Sequence, residues 1–298
     1  MQKIKTFLQL IRIKHWIKNT VCFVPLIFSL NFTNPELTFK ASLAFLAFCL
    51  VSSGIYIFND ISDIKTDRLS ATKSKRPLAS GKILITGACI AAGFFLLTGF
   101  FTSVLINPLC LLISGLYVVL NVLYTLHFKN IEIIDVFCIA LGFILRILAG
   151  CAAISVIPSP LVILLTFFVS MFFTFSKRRL EFKDKTFIKN ENITETKNTR
   201  KSLKDFNCGL LDQFICANAM LSIAFYFAYM MDTTTIERSG TGYLYISAIP
   251  FTLIIFRLLY LANTSTDIQD PAEFLYRDNM TKILFLFYLT VLFTILAV

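Results

Sequence analysis

Long apolar segments constrain this chain more than any other feature of its sequence. A transmembrane α-helix needs about 20 mostly apolar residues, and nine segments approach this length. They cover residues 16–32, 39–59, 82–101, 107–128, 131–153, 157–177, 209–231, 241–263 and 280–297. Only 15% of the 298 residues are charged, against about a quarter in soluble domains. We therefore predict an all-α integral membrane protein, with nine transmembrane helices in one polytopic domain over residues 1–298.

The distribution of basic residues predicts the orientation in the membrane. If the N-terminus is cytoplasmic, nearly all of the 28 Lys and Arg residues fall on the cytoplasmic side or at that end of a span. The exceptions are Lys40, Arg146, Arg238 and Arg257. Because basic residues are enriched in cytoplasmic loops, we expect a multi-pass protein of the cell inner (plasma) membrane with a cytoplasmic N-terminus. We expect cytoplasmic loops at 60–80 and 178–208 to carry site residues.

An acidic run follows the second apolar segment directly. Asn59, Asp63 and Asp67 are four residues apart, so a helix would present them on one face, with Asp60 beside them. Carboxylates at this density repel one another unless a cation neutralises them, and hard oxygen ligands suit Mg²⁺ shared with a diphosphate. We predict that Asn59, Asp60, Asp63 and Asp67 bind Mg²⁺ and that the three aspartates are catalytic. The alternative is a solvated helix end.

This run, N-D-x-x-D-x-x-x-D, resembles the first motif of the UbiA superfamily of intramembrane prenyltransferases. Further segments resemble its decaprenyl-phosphate phosphoribosyltransferase branch. They are Trp16-Ile17-Lys18-Asn19, residues 54–60 and 75–81, Tyr124-Thr125, Lys129, Asp135, residues 142–146, Ala149-Gly150, residues 177–181, residues 270–273 and Arg277-Asp278. The resemblance implies nine helices around a central cavity that opens to the cytoplasmic face, and a diphosphate bound there through Mg²⁺.

The segment after the sixth span differs from that of ordinary members of the superfamily, which carry a second aspartate-rich motif there. Here Lys177, Arg178, Arg179 and Glu181 stand in its place. Cations in place of carboxylates suit a substrate with an additional phosphate. Phosphoribosyl diphosphate (PRPP) carries such a phosphate, and a prenyl diphosphate does not. We assign Lys177 and Arg178 to substrate binding, with ordinary cytoplasmic charges as the alternative, which we favour for Arg179.

The other substrate-binding candidates are cations and polar groups at or near the ends of the predicted spans. Arg146 lies inside an apolar segment, where an ionisable group is costly and usually marks a site. Arg257 could instead reach an interface or pair with a carboxylate. The remaining candidates are Lys18, Tyr56, Asn59, Lys73, Lys75, Arg76, Tyr124, Lys129 and Asp135.

The resemblance implies transfer of the phosphoribosyl group of PRPP to a polyprenyl (decaprenyl-type) phosphate, with release of diphosphate, in cell-envelope polysaccharide precursor synthesis. The partners are then PRPP, the lipid phosphate and the membrane, with no nucleic acid; a homo-oligomer is compatible with the sequence. Two alternatives stay open. One is a UbiA-type prenyltransferase that joins a prenyl diphosphate to an aromatic or haem acceptor. The other is a membrane transporter or lipid flippase, although charges gathered at one face argue against a two-sided path.

Overall fold

A computed structural model describes residues 2–70, 73–190, 207–264 and 271–297, and the regular structure within these ranges is helical. The α-helices are α1 (Gln2–Leu10), α2 (Val24–Phe28), α3 (Pro35–Ser62), α4 (Ile64–Arg68), α5 (Ile85–Ile106), α6 (Pro108–Leu126), α7 (Ile134–Ala153), α8 (Pro160–Asn190), α9 (Cys208–Met230), α10 (Thr233–Ser239), α11 (Ala248–Thr264), α12 (Phe274–Arg277) and α13 (Asn279–Ala297). The 3₁₀-helices are η1 (Ile13–Phe23) and four shorter ones at Lys73–Lys75, Phe128–Asn130, Leu244–Ser247 and Pro271–Glu273.

Within the described ranges, eight helices are long and apolar enough to cross a membrane. They are Pro35–Ser62, Ile85–Ile106, Pro108–Leu126, Ile134–Ala153, Pro160–Glu181, Cys208–Met230, Leu244–Thr264 and Asn279–Leu296. A helix satisfies its own backbone hydrogen bonds, which is the condition for crossing lipid. Large apolar side chains such as Phe94, Leu97 and Phe101 point outward from α5, as expected where lipid is the solvent. The prediction of an all-α, multi-pass membrane protein is confirmed.

The first predicted span, 16–32, has a different structure from the other eight. It is divided between η1 and the short helix α2, which begins beside Pro25, a residue suited to a first helical turn. Nine long helices are therefore not confirmed within the described ranges. The 11 residues of η1 would rise about 22 Å and α2 about 7 Å more, close to the roughly 30 Å of a hydrocarbon core. A ninth crossing in this form stays a prediction, as does the central cavity.

Two segments predicted as loops are more helical than expected. In the 60–80 segment, α3 continues to Ser62 and α4 covers Ile64–Arg68. Helix α8 continues past the predicted end of its span as far as Asn190, so residues 178–190 are helical, whereas 191–206 lie outside the described residues. Consequently Lys177, Arg178 and Arg179 project from a helix and not from a loop.

Packing divides the described residues into two compact units. The first holds residues up to 131 together with 142–158, and the second holds 132–141 and the described residues from 159 onward. In the first unit α3 packs along α5, where a Cβ atom added to Gly99 would lie 2.9 Å from the backbone nitrogen of Val51. In the second unit α8 packs along α9, and Phe172, Phe175 and Leu211 are buried in its core.

Gly150 allows η1 to approach α7 closely. A Cβ atom at Gly150 would overlap the backbone carbonyl group of Cys22 and lie 3.1 Å from Cγ of Pro25. We expect Gly150→Ala to reduce the free energy of unfolding by about 1–3 kcal/mol, as overpacking does elsewhere. Thermal unfolding of the purified protein in detergent measures this change.

Gly115→Ala is the matched control, because nothing lies within 4 Å of a Cβ atom at that position in α6. Alanine is the better helix former by about 0.5–1 kcal/mol, so this variant should equal or exceed the wild type in stability. If both variants melt at the same temperature, the close packing of η1 on α7 is wrong.

Candidate active site

The acidic run lies where α3 ends and α4 begins. The N–H group of Asp63 donates to the carbonyl oxygen of Asn59 (2.9 Å), and that of Asp67 donates to the carbonyl oxygen of Asp63 (2.8 Å). Helical spacing therefore continues across the junction between the two helices. Asp60 and Asp67 are buried, whereas the side chain of Asp63 is 30% exposed.

Arg76 joins the two buried carboxylates. Its Nη1 donates to Oδ1 of Asp60 (3.0 Å) and to Oδ2 of Asp67 (2.7 Å). Arg12 also forms an ion pair with Oδ1 of Asp60. Burial raises the pKa of Asp67, although the nearby charge of Arg76 acts in the opposite direction. Two guanidinium groups thus neutralise this pair of carboxylates, as buried charges require.

The other two members of the run have partners from the end of α6 and the 3₁₀-helix that follows it. Lys129 forms an ion pair with Oδ1 of Asp63, and the hydroxyl group of Thr125 donates to Oδ1 of Asn59. Lys129, a predicted substrate-binding residue, therefore lies at the acidic run. Its side chain is 25% exposed, which leaves it accessible from solvent.

The donor set of the run suits a hard divalent cation. Oxygens of Asp60 and Asp67 both accept hydrogen bonds from one nitrogen of Arg76. The two carboxylates are therefore close enough together to share one cation. Oxygen donors from carboxylates and amides are the ligands that Mg²⁺ prefers. Among the described residues, no three His, Cys, Asp or Glu side chains are grouped closely enough to hold a metal ion, and Asp63 contacts Lys129 instead. The residues present fit Mg²⁺ chemically, and their role as its ligands stays a prediction.

Arg146 is buried within α7, and each nitrogen of its guanidinium group donates to a protein oxygen. Nε donates to Oδ1 of Asn19 (2.7 Å), Nη1 to the carbonyl oxygen of Gly142 (2.7 Å) and Nη2 to the hydroxyl group of Tyr117 (2.9 Å). The group also lies over the rings of Tyr117 (4.8 Å) and Phe143 (5.1 Å). These interactions connect η1, α6 and α7. Direct contact of Arg146 with a substrate stays a prediction.

A second set of charged residues lies in the other compact unit. Arg178 is 2% exposed and binds Asp135 through Nε (2.9 Å) and Nη2 (2.8 Å), and Glu181 through Nη1 (2.9 Å). Arg179 binds Asp212 at 2.7 and 3.3 Å, and its buried Nη1 has no hydrogen-bond partner within the described ranges. Arg179 thus forms an ion pair with Asp212, and its assignment as an ordinary cytoplasmic charge stays a prediction. Arg178 and Asp135, both predicted to bind substrate, bind each other.

The remaining predicted residues are distributed around both units. Tyr56 places its ring 5.1 Å from the Arg12 guanidinium group. Lys73 and Lys75 are exposed on the 3₁₀-helix directly before Arg76. Partly buried candidates are Lys18, Tyr124 and Lys177. Their contact with substrate stays a prediction.

Arg257 forms an ion pair, which was one of the two expectations for it. Its Nη2 and Nε bind the carboxylate of Asp278 at 2.8 and 3.1 Å. Asp278 also accepts hydrogen bonds from the backbone N–H (2.8 Å) and hydroxyl group (2.7 Å) of Thr281, so it caps the start of α13. The hydrogen bond from Arg257 holds the pKa of Asp278 well below its usual range. Asp270, which begins the segment 270–273 noted for its resemblance, lies outside the described residues.

Sequence reasoning missed Arg12 and Thr125, which contact the acidic run. Arg12 belongs to a basic amphipathic stretch typical of a membrane surface. That interpretation predicted no contact between Arg12 and Asp60. Thr125 lies beside Tyr124 in a segment that was noted only for its resemblance. A pattern read along the chain carries no signal for either contact, because the partners are 48 and 66 residues away.

The fold and this arrangement of carboxylates and cations define an intramembrane transferase of the UbiA type. A family model described as the UbiA prenyltransferase family matches residues 21–289, and the chain belongs to that family. A relative from Mycolicibacterium smegmatis, named decaprenyl-phosphate phosphoribosyltransferase, is 28% identical and aligns over 93% of this chain and 87% of its own. A relative of the same name from Corynebacterium glutamicum is 29% identical over 92% of this chain and 81% of its own.

Solved structures support the same fold. The UbiA homologue of Archaeoglobus fulgidus bound to DMAPP and Mg²⁺ has a TM-score of 0.69 and 20% identity, and the match covers 98% of this chain and 99% of that one. The same homologue bound to GPP and Mg²⁺ has a TM-score of 0.67 at 19% identity, with coverage of 98% and 100%. The prediction that this chain resembles the UbiA superfamily is confirmed.

The buried pair Arg178–Asp135 gives a prediction about stability. Arg178→Ala would leave the carboxylate of Asp135, 2% exposed, without its guanidinium partner. Breaking a buried ion pair in this way costs about 3–5 kcal/mol. We expect a correspondingly large fall in the melting temperature of the purified protein.

Arg277→Ala is the control, because the Arg277–Glu273 pair (3.0 Å) is 56% and 31% exposed and should contribute no more than about 1 kcal/mol. The double variant Arg178→Met with Asp135→Leu should recover most of the lost stability, since it removes the buried carboxylate together with its arginine, and the other partner of Arg178, Glu181, is 31% exposed. Equal melting temperatures for Arg178→Ala and Arg277→Ala would show that the buried pair has no structural role.

Proposed function

We propose that this protein transfers the phosphoribosyl group of PRPP to a polyprenyl, decaprenyl-type phosphate and releases diphosphate. The observation that carries the proposal is the acidic run of α3 and α4, in which carboxylates for a metal ion and cations for phosphates meet at one site. The names of two relatives that align over most of this chain point to the same reaction. We place the site at the cytoplasmic face of the inner membrane and the product in cell-envelope polysaccharide precursor synthesis.

The acidic run supplies the proposed metal ligands. Asp60 and Asp67, which already share one cationic partner, would hold Mg²⁺ together with Asn59 and Asp63. Bound there, Mg²⁺ would neutralise negative charge that grows on the diphosphate as it leaves. The UbiA homologue of Archaeoglobus fulgidus has been solved with Mg²⁺, which supports use of a divalent metal within this family.

The cations around the run would bind and orient phosphates. Arg76 and Lys129 are both part-exposed, at 29% and 25%, so they can reach a substrate without unfolding their surroundings. The lipid phosphate is already an anion at neutral pH, and its attack needs no general base. Bringing two anions together is the harder task, and positioned cations solve it. Lys73 and Lys75, exposed beside Arg76, would extend the same phosphate-binding surface.

The choice of donor follows from the residues that replace the second acidic motif. Lys177, Arg178 and Arg179 offer positive charge at the place where prenyl diphosphate users carry carboxylates. Arg178 and Arg179 already bind Asp135 and Asp212, and contact of Lys177 with the additional phosphate of PRPP is part of this proposal. The acceptor explains the membrane location, because its lipid tail can remain in the bilayer while its phosphate reaches the site.

Prenyl transfer to an aromatic or haem acceptor is the second candidate function. The observation that favours it is the structural likeness to the Archaeoglobus fulgidus homologue, which binds the prenyl diphosphates DMAPP and GPP. The two reactions differ in the donor, so an assay with both donors separates them.

Purified protein incubated with PRPP labelled in the ribose, a polyprenyl phosphate and Mg²⁺ should place the label in the lipid extract. A parallel reaction uses a labelled prenyl diphosphate and an aromatic acceptor. We expect transfer from PRPP only, and no transfer after the metal has been chelated. Prenylation of the aromatic acceptor without transfer from PRPP would establish the second candidate function.

Asp63→Asn tests the acidic run without a large change in size. It removes one charge from the proposed metal and diphosphate site, and we expect the rate of transfer to fall at least about a hundredfold, the scale of losing one electrostatic contact in an active site. Glu237→Gln is the matched control, since Glu237 is an exposed carboxylate on α10 and should leave the rate unchanged. Normal turnover by Asp63→Asn would remove this residue from the site.

A further inference from the structure

Arg12 lies at the junction of α1 and η1 in a backbone conformation that is rare for its residue type. Its φ and ψ angles are 53° and 49°, in the left-handed region, which costs a residue with a Cβ atom roughly 1–2 kcal/mol. Its guanidinium group contacts Asp60 and lies 5.1 Å from the centre of the Tyr56 ring. A costly backbone conformation thus directs a cation at the acidic run.

The backbone beside Arg12 is fixed to the first compact unit. Leu10 and Ile11 are buried, at 1% and 4% exposure, in a cluster with Ile57 of α3. The hydroxyl group of Ser53 donates to the carbonyl oxygen of Ile11 (3.0 Å). The side chain of Arg12 is 20% exposed, so it can change partner by rotation while the backbone stays in place.

Asp60 contacts both of the guanidinium groups that neutralise the pair of carboxylates formed with Asp67. Both Arg12 and Arg76 contact its Oδ1, and Arg76 alone also reaches Asp67. A divalent cation that entered by itself would meet ligands already occupied by guanidinium groups. When a diphosphate enters with the metal, it offers phosphate oxygens to the arginines that the metal displaces, so no charge is left unpaired.

We propose that Arg12 is a diphosphate-binding residue, which pairs with Asp60 until the donor and its metal arrive and then moves to a phosphate oxygen. This inference rests on the function proposed above, since it takes a diphosphate and Mg²⁺ to bind at the acidic run. Arg12 thereby makes the binding of Mg²⁺ and the binding of diphosphate depend on each other. Without diphosphate, Arg12 competes with the metal for Asp60; when metal and diphosphate are both present, Arg12 binds the diphosphate.

Binding to the full-length protein in detergent tests this role without any turnover. Electron paramagnetic resonance measures the affinity for Mn²⁺ alone, used in place of Mg²⁺, and equilibrium dialysis measures retention of labelled inorganic diphosphate at saturating Mg²⁺. We expect Arg12→Gln to bind Mn²⁺ alone at least threefold more tightly, because Asp60 is released. The same variant should bind diphosphate about tenfold more weakly, because it lacks the guanidinium group.

Two further variants serve as controls. Arg12→Gly also removes the guanidinium group but favours the left-handed backbone, and it must show both changes. Arg68→Gln removes an exposed cation of α4 whose Nε donates to the carbonyl oxygen of Ala79, and it should change neither affinity by more than twofold.

Unchanged diphosphate affinity in Arg12→Gln, or weaker Mn²⁺ binding, would overturn the role of Arg12. Absence of Mn²⁺ and diphosphate binding in the wild type would instead overturn the metal and diphosphate site itself. If both expected changes occur but the protein does not use PRPP, the donor assignment fails and the role of Arg12 stands.

Discussion

Asp60 places a carboxylate, 3% exposed, at the end of the long apolar helix α3. A charge in such surroundings costs several kcal/mol unless cations and hydrogen bonds compensate it. The chain meets this requirement with Arg12, which precedes η1, and Arg76, which follows α4. Both segments are thereby held beside α3, and the arrangement of the proposed site follows from the neutralisation of this one group.

The cations around the acidic run are more accessible to solvent than the Arg178–Asp135 pair, and this difference indicates different roles for the two sets. Around the acidic run, Arg12, Arg76 and Lys129 keep 20%, 29% and 25% of their side-chain surface exposed. Such cations can exchange a carboxylate for a phosphate oxygen. The Arg178–Asp135 pair is closed, with 2% exposure on each side, and opening it would leave charges unpaired in a poorly solvated place. The first set therefore suits substrate binding, and the second suits stabilisation of α7 against α8.

Much of the fold could be predicted from the sequence, because lipid requires each crossing segment to satisfy its own backbone hydrogen bonds and to present apolar side chains. That requirement is local and leaves a signal in any window of about 20 residues. The same signal did not reveal that residues 16–23 form part of the 3₁₀-helix η1 instead of an α-helix. There the chain packs its buried Asn19 against Cys49 and Ser52 of α3, and such contacts with a distant helix leave no periodic signal.

The sequence by itself determined the helical class, the membrane location and the spacing that places Asn59, Asp63 and Asp67 on one side of a helix. These are consequences of composition and of the 3.6-residue period, which act over short stretches of chain. Only the tertiary structure decided that Asp60 binds Arg12 and Arg76, that Asp63 binds Lys129, and that Arg178 is enclosed by Asp135 and Glu181. Many cations in the sequence could neutralise a given carboxylate equally well, and helix packing selects the pairs by bringing distant segments within hydrogen-bonding distance.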